Sequence, residues 1–196
     1  APSCGGSGGP EICTNGVDDD GDGDVDCQDG DCQGAPPCGG GGSPKTVFLR
    51  LGAVAGNFGG LAAADAMCNV AAGAEGLPGV YKAWLSDGTA SPATRFTPSG
   101  GPYLQVNGAP VANGWADLID GTLVMPVETY EDGTNASALP VWTGTYANGT
   151  GSPNHCAGWT STIGSGDSGT TGQTGAAWTE GTTGCTNLAL LICFQQ

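Results

Sequence analysis

The sequence predicts an α+β protein: a loop-rich, disulfide-tied domain preceded by a small cysteine-rich segment that has no core of its own. Three observations lead there. The 196 residues include 38 Gly and 13 Pro, which disfavours long helices and suits short strands joined by loops. Nine Cys without a redox or zinc-ribbon spacing point to disulfides and an oxidising compartment, hence an extracellular or cell-surface location. A single Ala-rich helical run stands among short apolar strand candidates.

Residues 1–44 hold nine acids, five Cys and no basic residue, with almost no apolar side chains. Such a composition buries no core, and only cross-links and bound ions would fix it. Gly39–Pro44 reads as a flexible joint, and the second unit runs over 45–196. Thr46–Leu51 is an apolar-rich strand candidate. Leu61–Glu75 is the convincing helix, opened by Gly59–Gly60 and stopped by Gly76. Val80–Leu85 reads as a strand, and Trp115–Asp120 as a short helix capped by Asn113. Val141–Thr145 and Leu188–Phe194 read as buried strands, and most of Thr150–Gly184, rich in Gly, Ser and Thr, as loop. No apolar run reaches the length of a transmembrane helix, and the start at Ala1 is expected to be a mature N-terminus after removal of an export signal.

The stretch Asp18-Asp19-Asp20-Gly21-Asp22-Gly23-Asp24-Val25-Asp26-Cys27-Gln28-Asp29 carries the chemistry. Calcium takes six to eight oxygens, which EF-hand-type loops supply from alternating positions around a tight glycine turn. With Asp18 first, Asp20 and Asp22 fall third and fifth, Gly23 at the turn, and Asp24 seventh through its carbonyl. Asp26 then falls ninth, and Asp29 takes the last acidic position. Six carboxylates this close repel one another strongly without a cation. A solvated acidic tail is the alternative, but Gly23 and Val25 fall in register along with the acids. Hard oxygen donors argue against copper or zinc. The stretch resembles the Asp-rich loops of thrombospondin type 3 repeats. Over residues 11–38, with Cys13, Cys27 and Cys32 flanking the acids, it is closer to Cys-flanked, metal-binding repeats of bacterial secreted proteins. Asp29 stands where an EF-hand has Glu, so Asp31 or water would complete the shell. In this segment Cys13–Cys27 would clasp the loop and leave Cys32–Cys38, with Cys4 over for an intermolecular bond.

The later cysteines are Cys68, Cys156, Cys185 and Cys193, which allow three pairings. Gly56-Asn-Phe-Gly-Gly-Leu-Ala-Ala-Ala-Asp65-Ala-Met-Cys68 and Ala74-Glu-Gly-Leu-Pro-Gly-Val-Tyr-Lys-Ala-Trp-Leu-Ser86 resemble the helix and following strand of endostatin. Trp115-Ala-Asp-Leu, Val141-Trp-Thr-Gly144, Cys156-Ala-Gly-Trp159 and Cys185 to Cys193 continue the likeness in order. The chain is similar, more closely still, to a bacterial family of C-type-lectin-like domains in exported proteins, over residues 46–196. The resemblance implies a C-type-lectin-like fold with nested bridges Cys68–Cys193 and Cys156–Cys185. It does not carry the family's sugar site: the Glu-Pro-Asn or Gln-Pro-Asp and Trp-Asn-Asp motifs are missing, and Ser152-Pro153-Asn154 lacks the acid. Endostatin's Arg-rich heparin face and zinc-binding histidines are also missing.

A net charge of −15, with only Lys45, Arg50, Lys82 and Arg95 basic, excludes nucleic acid and anionic membrane as favoured partners and leaves cations. The one histidine, His155, adjoins Cys156, and no Ser-His-Asp arrangement is visible. Five Trp (84, 115, 142, 159 and 178) serve core packing before a sugar platform. Asp117 and Asp120 read as a solvated helix face. Asn135-Ala-Ser137 and Asn148-Gly-Thr150 are acceptor sequons of secondary interest. The reading is therefore a non-catalytic structural or assembly protein with structural calcium, its partner being other copies of itself. An adhesin or lectin-like module that binds glycans is the alternative.

Overall fold

A computed structural model of the chain describes residues 12, 16–23, 25, 32 and 42–196. The order is β1 (Lys45–Val54), α1 (Leu61–Ala74), β2 (Tyr81–Ala83), α2 (Pro92–Arg95), β3 (Tyr103–Gln105), β4 (Pro110–Ala112), α3 (Trp115–Leu118), β5 (Pro140–Trp142), β6 (Ser165–Thr170), β7 (Thr182–Gly184) and β8 (Ala189–Gln195). The architecture is mixed α+β and strand-rich. One sheet runs β4-β3-β1-β8-β5-β6-β7, and β2 pairs with the far half of β8. β1 lies antiparallel to β8 and parallel to β3.

β8 organises the core because it is apolar on both faces. Leu190, Ile192 and Phe194 join Val47, Leu49, Trp84 and Trp178 on one side. Ala189, Leu191 and Cys193 join Phe48, Ala64, Cys68, Trp142 and Trp159 on the other. This is the two-residue alternation of a strand buried on both faces. α1 covers the second side with Ala64, Cys68, Ala71 and Ala72, small enough to bring its backbone near the sheet. Disulfides join Cys68 to Cys193 and Cys156 to Cys185. The first ties α1 directly to β8.

One reading needs correction and two gain detail. Most of Thr150–Gly184 is loop, as expected, but it also carries β6, β7 and a 3₁₀ turn at Ala176–Trp178. Gly114, not Asn113, precedes α3 as its cap, and the Asn113 backbone N–H instead donates to Asp117 Oδ2 at 2.7 Å. Gly42, in the expected joint, lies against the domain: a Cβ on Gly101 would be 1.8 Å from the Gly42 carbonyl oxygen, so the two backbones touch there.

Gly169 shows why β6 is built from small residues. A Cβ there would lie 1.8 Å from the Trp178 carbonyl oxygen and 2.7 Å from the Thr179 nitrogen. Those are backbone atoms and cannot swing aside. Gly169→Ala is expected to destabilise the chain by at least about 1–3 kcal/mol, whereas Gly175→Ala, with open space around it, should change little. Thermal melts of the two variants compare them directly; equal Tm values would contradict the packing described.

Candidate metal centre

The acidic loop folds around its own carboxylates. Asp18 Oδ1 accepts the Gly21 N–H at 2.6 Å and Asp18 Oδ2 accepts the Gly23 N–H at 3.1 Å. Asp20 Oδ1 accepts the Asp22 N–H at 3.0 Å. Gly21 (φ 81°) and Gly23 (φ 103°) both take the left-handed backbone that lets the chain turn back on Asp18. As a result, one oxygen each from Asp18, Asp20 and Asp22 lies within 4.8 Å of the others. Asp18 and Asp22 are exposed and Asp20 is half-buried.

This separation suits a shared cation. Two oxygens each about 2.3–2.6 Å from one calcium ion can be at most about 5 Å apart. The donors are carboxylates, and three of them on one side leave room for carbonyl and water ligands. The triad can therefore hold a metal ion. Of the six aspartates that the sequence singles out, Asp18, Asp20 and Asp22 are thus brought together. Asp24, Asp26 and Asp29 lie outside the described residues, as do Cys4, Cys13, Cys27 and Cys38. Cys32 is buried and disulfide-bonded, to a partner outside the described residues. Gly21 escaped the sequence reading, which placed the turn at Gly23 alone; its alternation with the aspartates was the available signal.

The surroundings of His155 are of a different kind. A left-handed turn follows it, with φ of 49° at Cys156, 54° at Ala157, 69° at Gly158 and 63° at Trp159. Each non-glycine residue there costs about 1–2 kcal/mol. The Cys156–Cys185 bridge and the bond from Trp159 Nε1 to the Ser86 carbonyl, 2.7 Å, hold the turn in place. His155 Nδ1 accepts the Gly158 N–H at 2.8 Å. The ring borders an open polar cleft of about 450 Å³ with Asp87, Ser91 and Ser152. Burial alone would raise the Asp87 carboxyl; hydrogen bonds from Thr89 and Ala90, with His155 nearby, outweigh it and hold the group below its ordinary value. Among the described residues, no serine or cysteine side chain is hydrogen-bonded to His155. Four tryptophans (84, 142, 159 and 178) are buried, and Trp115 packs against Phe96 with ring centroids 6.1 Å apart. No helix among the described residues is long and apolar enough to cross a membrane.

Comparison with protein-family models and with curated proteins found no match to this chain.

Proposed function

We propose that the chain is an exported, non-catalytic structural subunit that binds calcium through its acidic loop and associates with copies of itself. The observation that carries the metal part is the convergence of Asp18, Asp20 and Asp22 within 4.8 Å. Calcium is the ion of choice because every donor is a hard oxygen, on a chain of net charge −15 that attracts cations in general. The two bridges in the C-terminal region favour an oxidising location. They also support a C-type-lectin-like fold for residues 45–196, because they nest helix to last strand and loop to loop as that resemblance implies. The assembly reading rests on cysteine arithmetic: nine thiols cannot all pair within one chain, and a leftover Cys in an exported protein suggests a bond between chains. The N-terminal arm around Cys4 is the segment assigned to reach a neighbour.

Calcium binding is tested by limited proteolysis. Chelation with EDTA should speed cleavage within residues 11–38 and leave residues 45–196 intact, because the second unit has its own core and bridges. Asp22→Ala removes one oxygen of the triad and should behave like chelated wild type even with calcium present. Equal cleavage rates with and without EDTA would end the calcium assignment.

A further inference from the structure

We propose that the surface around Lys45 and Lys82 is the docking site for the acidic loop, residues 18–31, of a second copy of this chain. The inference rests on the assembly reading above and adds a second contact to the one assigned to the N-terminal arm; association needs both.

Residues 1–44 carry nine acids and no base, and all four basic residues lie between 45 and 95. Copies of a chain with net charge −15 repel one another, so association needs a local patch of opposite sign. The fold makes one. Lys45 opens β1 and Lys82 sits on β2, the two strands that flank the end of β8. Lys45 Nζ donates to the Thr97 carbonyl at 2.7 Å, and Lys82 Nζ donates to the Arg95 carbonyl. Two ammonium groups are thus held on carbonyls only two residues apart. Arg95 adds a third cation, but Asp65 neutralises it. Among the described residues no carboxylate pairs with Lys45 or Lys82. Both side chains are half-buried, so their positions are set by the fold. Burial, and to a lesser degree the Lys82 charge, holds the Lys45 ammonium below its ordinary value.

An anionic partner relieves that repulsion, and the chain supplies one in the eight aspartates from Asp18 to Asp31. A contact between unlike patches on successive copies is heterologous, so it closes into rings or continues as a filament. Salt should weaken it, because exposed charges are screened over about 10 Å at 0.1 M ionic strength.

The test mixes isotopically heavy and light full-length chains, lets them associate, and couples touching lysine–carboxylate pairs with a water-soluble carbodiimide. Mass spectrometry should find heavy-to-light links from Lys45 or Lys82 to residues 18–31. In parallel, the double variant K45Q/K82Q should raise the concentration needed for association by at least about tenfold, and K45R/K82R should restore it. Links confined to one label would overturn the proposal, placing the loop on its own domain. Wild-type-like association of K45Q/K82Q would overturn it while leaving the assembly reading intact. A wild-type chain that stays monomeric would remove both.

Discussion

Replacing Cys68 and Cys193 together by Ala is expected to lower stability by about 4–5 kcal/mol, the chain-entropy value for closing a loop of this size. The bridge spans 125 residues and joins the centre of α1 to the most buried strand. Both cysteines are fully buried, so the substitution also leaves space between helix and sheet. For a domain of about 150 residues the loss corresponds to roughly 10–15 °C in Tm. The shorter Cys156–Cys185 bridge, 29 residues apart, should cost less on removal, about 3–4 kcal/mol. Paired thermal melts under non-reducing conditions give both values. A drop below about 1 kcal/mol for the first pair would mean that α1 is held by packing alone.

Trp84→Ala is expected to cost a further large amount, about 3–5 kcal/mol. Trp84 is fully buried at the centre of the first core cluster. Its ring centroid lies 4.9 Å from that of Trp178, 5.5 Å from Phe194 and 5.9 Å from Phe96. Its Nε1 donates to Thr179 Oγ1 at 2.9 Å, and Thr179 Oγ1 donates in turn to the Thr145 carbonyl at 2.8 Å. The indole therefore fills the core and anchors the loops that cover it. Trp84→Phe keeps much of the volume and loses that donor, so it should cost less, about 1–3 kcal/mol. Denaturant unfolding of the two variants tests the order. A Trp84→Ala variant as stable as Val70→Ala, at a position 73% exposed, would contradict the core described.

What could be read from the sequence follows from how local each signal is. The continuous apolar run of β8 and the Ala-rich run of α1 each declare themselves within a dozen residues, and both elements form within about two residues of the expected bounds. The acidic loop is equally local: alternation of Asp and Gly places Asp18, Asp20 and Asp22 on one side of a turn. β6 is the opposite case. Ser165–Thr170, Ser-Gly-Asp-Ser-Gly-Thr, has no apolar period and low strand propensity. It is a strand because Gly166 and Gly169 leave room for Cys156, two tryptophan rings and the Trp178 backbone. That reason is tertiary and invisible in a six-residue window. The Lys45–Lys82 pair is hidden in the same way, since only the register of β1 and β2 across β8 brings the two residues together.

We propose a calcium-binding subunit that associates with itself. Sedimentation velocity of the full-length chain over a wide concentration range, with calcium and with EDTA, tests it most directly. The expected result is species larger than a monomer that grow with concentration in calcium, and their loss when residues 1–10 are deleted while residues 45–196 stay folded. A single monomeric species at every concentration in calcium, or unchanged association after the deletion, would contradict it.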